Sequence, residues 1–309
     1  MLKRAVLGRS GIEVTEFCLG LLPMGPLQAK LPEEEQIKII HTALKHGVRF
    51  FDTAEYYYTQ PVLGKALRGI RAECVIATKS KSVTYEAMQE SVQTSLAELE
   101  TDVIDIYLMH AVAVEDFAKR AGALQHLLEM KEKGAIRAVG VSVHDPASTI
   151  MAAQRDDIDV ILTIINKGFQ DRRKEEMLSA IREAARRNKG IYIMKALGGG
   201  TLLQDVPGSL SFVRNIQEVH ATALGIISTD ELLMDLSSFG VEDLVYTPPE
   251  IKSKEYFVVP VMCIACGDCL EKCPTGSIRI IDNKAFIDKT NCVRCGYCSN
   301  CQEFAIRSV

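Results

Sequence analysis

The 309-residue chain has ten cysteines, and eight of them lie in its last 47 residues. They form two runs, Cys263-x2-Cys266-x2-Cys269-x3-Cys273-Pro274 and Cys292-x2-Cys295-x2-Cys298-x2-Cys301. A thiolate at every third position of a short turn presents three donors to one side, enough to cap three corners of an iron–sulfur cube. Structural zinc favours two well-separated CxxC pairs, and a disulfide framework belongs to small secreted chains, so both fit the spacing less well. The expected chemistry is one-electron transfer through bound iron and sulfide.

This tail resembles the two-cluster bacterial ferredoxins over about 50 residues. The first run matches their motif in full. In the second, two residues rather than three precede Cys301, and Gln302 stands where the motif has proline. The resemblance implies two [4Fe-4S] clusters, the fourth cysteine of each run ligating the other cluster. One set is then Cys263, Cys266, Cys269 and Cys301, and the other Cys292, Cys295, Cys298 and Cys273. A module this small buries little core, so the clusters must hold it together. Cys18 and Cys74 sit in apolar surroundings and read as small buried hydrophobes.

The elements that must carry any further chemistry lie upstream. Short apolar runs occur at Glu16–Leu21, Val48–Asp52, Val75–Thr78, Ile104–Met109, Ile136–Val141, Val160–Ile165, Ile191–Met194 and Ala223–Ile227. Helical patterns fall between and after them, at Glu33–His46, Pro61–Arg68, Tyr85–Leu99, Glu115–Lys133, Pro146–Gln154, Lys174–Arg187, Leu210–His220 and Asp230–Phe239. Gly47, Gly134 and Gly190 follow three helices as stop signals, and Thr84 and Thr229 are expected N-caps. Eight such repeats predict an α/β protein built as a (β/α)8 TIM barrel, which fits the regular repeats better than a doubly wound open sheet. Ala5–Glu16, with a turn at Ser10-Gly11, reads as a hairpin closing the bottom of the barrel. The expected organisation is a barrel over 1–240, a linker over 241–257 containing Pro248-Pro249, and a small α+β ferredoxin-like iron–sulfur domain over 258–309.

In such a barrel the active site lies at the C-terminal ends of the strands. Asp52, Lys79 and His110 end the second, third and fourth apolar runs, and Tyr57 follows Asp52 in the loop above. A lone lysine or histidine after a strand is an ordinary loop residue; three consecutive strands ending in Asp, Lys and His beside a tyrosine are not a coincidence of that kind. Residues 3–240 resemble the aldo-keto reductases. The stretches Gly8-Arg9-Ser10-Gly11-Ile12-Glu13-Val14, Phe51-Asp52-Thr53-Ala54, Gly140-Val141-Ser142 and Gly198-Gly199-Gly200 carry the likeness. It implies a catalytic tetrad of Asp52, Tyr57, Lys79 and His110, with Tyr57 chosen over Tyr56 and Tyr58 by its spacing from Asp52. A nearby ammonium makes a tyrosine hydroxyl a usable acid–base group, and a histidine can polarise a carbonyl.

The resemblance also implies a nicotinamide dinucleotide, NAD(P)H, across the top of the barrel. Its expected contacts are Ser142, Asn166, Lys195, Leu197, Gly198, Gly199, Gly200, Gly225 and Ser228. There are departures: His144 stands where the family often has Asn, Leu162 where Gln is common, and Asp230-Glu231 where Arg or Lys often grips the NADP 2′-phosphate. NAD, NADP and loss of the dinucleotide all remain open.

With 25% charged residues, a net charge of −4 and a pI near 5.9, the chain lacks the basic face of a nucleic-acid binder. No run of 18 apolar residues and no secretory h-region is present, so no membrane partner is expected and the compartment is read as a reducing cytoplasm. The leading expectation is an oxidoreductase interconverting a small carbonyl and an alcohol with NAD(P)H, its clusters exchanging electrons with a redox partner. The alternatives are a ferredoxin-type reductase whose clusters feed a barrel-bound substrate without nicotinamide, a non-catalytic electron carrier, and clusters that serve structure alone.

Overall fold

The computed structural model describes all residues except Met1, Gln170, Thr201, 250–254, Pro274, Thr275, 293–296, Asn300, Gln302, Phe304 and Val309. The chain divides into two compact units, one of 1–196 and 210–248, the other of 197–209 and 249–309.

The first unit is a closed barrel of eight parallel strands. Its strands are β3 (Phe17–Gly20), β4 (Phe50–Asp52), β5 (Val75–Ser80), β6 (Ile104–Met109), β7 (Ile136–Ser142), β8 (Val160–Ile164), β9 (Gly190–Met194) and β10 (Ala221–Gly225), with β10 pairing back onto β3. Before them, β1 (Arg4–Val6) and β2 (Glu13–Thr15) form the expected antiparallel hairpin. Val14 of β2 and the flanking Leu7 and Ile12 join the barrel's core cluster. The helices are α1 (Glu33–Lys45), α2 (Gln60–Ala66), α3 (Tyr85–Glu98), α4 (Asp116–Lys119), α5 (Ala121–Glu132), α6 (Pro146–Gln154), α7 (Asp171–Arg186), α8 (Val206–Arg214), which crosses from one unit to the other, and α9 (Thr229–Ser238). No helix among the described residues is long and apolar enough to cross a membrane.

Inward positions alternate along each strand, as the period of two requires. Cys18, Phe50, Val75, Ala77, Ile106, Leu108, Ala138, Val160, Leu162, Tyr192 and Ala221 fill the interior, so every strand contributes. Gly140 takes the next inward place on β7, where a Cβ would come within 2.2 Å of the Val160 carbonyl oxygen. Only glycine permits that approach.

Four expectations are corrected. The helix expected over Glu115–Lys133 breaks into α4 and α5 at Arg120, whose guanidinium turns inward to the carbonyls of Ser80, Ser82 and His110. The helix expected at Leu210–His220 starts earlier, at Val206, where the Asp205 carboxylate accepts the Gly208 N–H and Pro207 suits a first turn. The eighth strand begins at Ala221 because its register is set by β3, Thr222 facing Phe17. Thr229 is not a cap: Ser228 accepts from the Glu231 N–H, whereas Thr84 does cap α3.

The second unit pairs β11 (Tyr256–Val258) with β14 (Ile306–Ser308), and β12 (Ile278–Ile281) with β13 (Lys284–Ile287), around one turn of helix, α10 (Asp268–Glu271). Its small core mixes apolar side chains such as Tyr256, Ile278, Ile287 and Ile306 with the thiols of Cys263, Cys269 and Cys298. The turn at Gly198–Gly200 belongs to this unit, where the Arg307 guanidinium lies against Gly199.

Candidate active site and thiol sites

The inward alternation that fills the barrel also places its charges. On β4, Phe50 is followed two positions later by Asp52; on β5, Val75 and Ala77 lead to Lys79; on β6, Ile106 and Leu108 lead to His110. Each polar residue is the next inward step above an apolar one. Parallel register then brings the strand ends together, with Asp52 beside Ala77 and Lys79 beside Leu108.

The Lys79 ammonium donates to Asp52 Oδ1 at 2.6 Å and to the Thr53 carbonyl at 2.6 Å. It also lies 4.9 Å from the centroid of the Tyr57 ring. Lys79 is 1% exposed and Asp52 6%, so the pair is out of water. Burial works against the charge on Lys79, but Asp52 and then Tyr57 outweigh it, and its pKa stands above the ordinary lysine value. Tyr57 sits half-buried on a short 3-10 turn, its hydroxyl 3.4 Å from His110 Nε2, the two rings edge to face at 5.5 Å. His110 is partly exposed as a residue, yet its Nδ1 is sealed from solvent and has no hydrogen-bond partner among the described residues. Burial, then Lys79, Lys81, Arg120 and Lys195, hold its pKa well below 6.5, so the ring is neutral at pH 7. The four residues picked from the sequence therefore meet at one point. An acid–base tyrosine, an ammonium beside it and a neutral imidazole can together give a proton to an oxygen and polarise it.

Two residues of this site were missed in the sequence. Tyr192, on β9, donates to Asp52 Oδ2 at 2.8 Å. Arg120 ties the ends of β5 and β6, the strands that carry Lys79 and His110, through three carbonyls at 2.9 to 3.1 Å. Tyr192 had a usable signal, since a tyrosine at an inward strand position must find a buried partner for its hydroxyl.

Of the expected dinucleotide contacts, Ser142, Asn166, Lys195, Gly225 and Ser228 lie in the barrel unit, at or just past strand ends. Leu197, Gly198, Gly199 and Gly200 lie in the other unit. The Ser142 hydroxyl accepts from the Ala111 N–H at 2.7 Å, and Asn166 bridges the Lys195 carbonyl and the Gly168 N–H. At the start of α9 the chain supplies its own acceptors: Ser228 takes the Glu231 N–H, and the Glu231 carboxylate takes the Ile227 N–H at 2.7 Å. This is a capping box, and it occupies donors that a phosphate would use.

In the second unit, Cys263, Cys266, Cys269 and Cys301 line one pocket, with Ile264 and Ile280 among its apolar walls. The backbone turns through left-handed conformations at Ala265 and Gly267, which lets three cysteines of one run face the same space. Burial, and then the proximity of Cys301, Cys263 and Cys266, push the Cys269 thiol pKa up. Backbone N–H groups aim at two sulfurs, Ala285 at Cys263 and Ser277 at Cys273, each at 3.3 Å. Cys273, Cys292 and Cys298 share the unit's core, and Cys295 lies outside the described residues. The described cysteines form no disulfide, and no three His, Cys, Asp or Glu among the described residues converge on a single metal ion.

The aldo/keto reductase family model matches residues 16–223. Among curated relatives, an uncharacterised oxidoreductase, YqkF of Bacillus subtilis, is 26% identical over 199 residues, 59% of this chain and 61% of that protein. L-galactose dehydrogenase of Arabidopsis thaliana is 24% identical over 65% of this chain and 67% of its own length. Methylglyoxal reductase DkgA of Escherichia coli O157:H7 is 35% identical over 39% of this chain and 44% of that protein. An aldo-keto reductase structure from Pseudomonas aeruginosa superposes with a TM-score of 0.69 at 26% identity, covering 76% of this chain and 93% of that one. The holo form of another, from Bacillus halodurans, shares the fold with a TM-score of 0.66 at 22% identity over 80% and 93%. The match runs through the strands that end in Asp52, Lys79 and His110 and spans more than half the chain, which therefore belongs to the aldo/keto reductase family and is an oxidoreductase.

Proposed function

We propose that the barrel interconverts a small carbonyl and its alcohol, with Tyr57 as the acid–base group, and that the tail holds two [4Fe-4S] clusters. The observation that carries the first part is the Lys79 ammonium, fixed on Asp52 at 2.6 Å and 4.9 Å from the Tyr57 ring. A reduced nicotinamide bound across the barrel would supply hydride to the carbonyl carbon. Tyr57 gives its hydroxyl proton to the carbonyl oxygen, and Lys79 stabilises the phenolate left behind. Asp52 keeps Lys79 charged and in place. Neutral His110 donates an N–H to the same oxygen and draws charge from the carbon. In oxidation the phenolate takes the alcohol proton back. Ser142 and Asn166 are the proposed nicotinamide contacts of the barrel, while Ser228 is committed to capping α9. Glu231 at that end disfavours the 2′-phosphate of NADP. A small carbonyl substrate agrees with the methylglyoxal reductase among the relatives.

For the tail, the chemistry of the donor set carries the reading. Four thiols on one pocket, with a backbone N–H aimed at the Cys263 sulfur, suit a cube, in which each cysteine meets a different iron, and not a single ion. Cys263, Cys266, Cys269 and Cys301 would hold one cluster, and Cys273, Cys292, Cys295 and Cys298 the other. Such clusters supply single electrons, to be exchanged with a partner protein.

A second reading has support in the closed N-terminus of α9: the clusters deliver two electrons in turn to a carbonyl in the barrel, and two protons complete the alcohol, one from Tyr57 at oxygen and one from water at carbon, without nicotinamide. Anaerobic calorimetric titration of the cluster-loaded chain with NADH and with NADPH separates the two. Micromolar binding of either is expected, with NADH preferred. No binding of either overturns the hydride reading in favour of the second.

A further inference from the structure

Tyr192 is completely buried in the middle of β9, its ring packed on Phe50 with centroids 5.2 Å apart. Its hydroxyl reaches the Asp52 oxygen that Lys79 leaves unused: Oδ1 takes the ammonium at 2.6 Å, and Oδ2 takes the phenol at 2.8 Å. A buried carboxylate that shares one charge between two oxygens is free to swing unless both are held. We infer that Tyr192 is a positioning residue of the barrel site: by fixing the second oxygen of Asp52 it keeps the first on Lys79, and so keeps the ammonium against Tyr57. The inference rests on the acid–base reading of Tyr57 but assigns a role to a residue outside the tetrad.

Among the described residues, Lys79 from β5, Tyr192 from β9 and Cys18 from β3 face this carboxylate, and Tyr57, from the turn after β4, faces the ammonium. Burial, and then Asp52, keep the Cys18 thiol protonated, so it adds no charge of its own. Burial and then Asp52 likewise hold Tyr192 in its neutral, donating form. Without that donor the carboxylate is poorly solvated in a dry interior. It is then free to turn, its first oxygen no longer fixes Lys79, and the ammonium, held less firmly against Tyr57, does less for a phenolate there. The consequence is directional: loss of the Tyr192 hydroxyl raises the pH at which Tyr57 ionises.

Ultraviolet titration of tyrosinate reads this without substrate or nicotinamide. The curve of the parent minus that of Y57F isolates Tyr57; the curve of Y192F minus that of the Y192F/Y57F double variant isolates it again without the buried hydroxyl. The expected result is an alkaline displacement of the Tyr57 step by about one pH unit. F50L, which loosens packing on the same ring but keeps the hydroxyl, should leave the step in place and serves as the control for mere disturbance of the core. With methylglyoxal as probe, Y192F should lower kcat about tenfold with little change in KM. An unmoved Tyr57 step in Y192F, or an equal displacement in F50L, overturns the inference. Full activity of Y57F instead would remove the acid–base reading itself and is scored separately.

Discussion

The barrel site and the thiol cavity solve opposite electrostatic problems. At the top of the barrel a cation and an anion meet out of water, and each compensates the burial of the other: Lys79 on Asp52, Asp52 between Lys79 and Tyr192. In the second unit four groups of the same kind converge on one pocket, and burial, then their proximity, raises the pKa of Cys269. An opposite-charge pair can be fixed by the fold alone. A nest of thiols gains nothing from its own closeness: the thiols stay protonated unless a positively charged guest stabilises the thiolates. The strands of the barrel are set by a deep apolar interior, whereas the thiols sit on turns with a thin core beneath them.

The sharpest way to break the comparison is at the barrel's working tyrosine. Tyr57→Phe leaves the ring in place and removes the proton donor, so the rate of methylglyoxal reduction should fall by about 10²- to 10⁴-fold with an unchanged melting curve. Retention of more than a tenth of the activity would place the proton elsewhere. Next in size is the guest proposed for the thiols. Cys269→Ser should cut the iron bound after anaerobic loading by about half, since the second set of cysteines is untouched. A chelator should then expose the tail to protease while the barrel's thermal transition stays where it was. Coincident loss of both would show that the two units do not stand independently.

Much of this contrast can be read in the chain itself, and the exceptions have physical causes. The start of the helix at Pro146 is legible because Asp145 accepts the Ser148 N–H before a proline in the first turn. Asp52, Lys79 and His110 were legible because each continues an inward alternation one step beyond the apolar core. The break at Arg120 was not, since an arginine is a good helix former and nothing local shows that its guanidinium turns toward three carbonyls from distant strands. Nor does local sequence show that the glycines at 198–200 fold with the tail, a long-range contact. Tyr192 fell between these cases: its inward position was visible, its partner was not.

A smaller effect probes whether every buried charge in the barrel is paired. Asp235, on α9, is wholly buried and finds no hydrogen-bond partner among the described residues. Burial, and then Glu231, raise its pKa well above the ordinary carboxylate value. Its contribution to stability is therefore fully present below about pH 4 and is lost as pH rises toward its folded pKa, at about 1.4 kcal/mol per pH unit over that window. The amide of Asp235→Asn does not titrate, so the variant should gain on the parent between pH 5 and pH 8 in urea unfolding. A constant difference across that range would mean Asp235 is already charged and paired. Smallest of all, Ser228→Ala removes one cap of α9 and should cost about 1 kcal/mol in the same assay, with no effect on iron content.

The glycine turn that folds with the tail has a consequence for how the protein is made. During synthesis Leu197–Ser209 leaves the ribosome before the last barrel strand, and well before the segment from 249 onward with which it forms one compact unit. The barrel can zip β10 onto β3 and close while this excursion is still waiting for its partner. All eight barrel strands are thus synthesised before the segment that completes the second unit. A truncation that stops at residue 248 would yield a closed ring carrying an orphaned loop, not a clean half-protein.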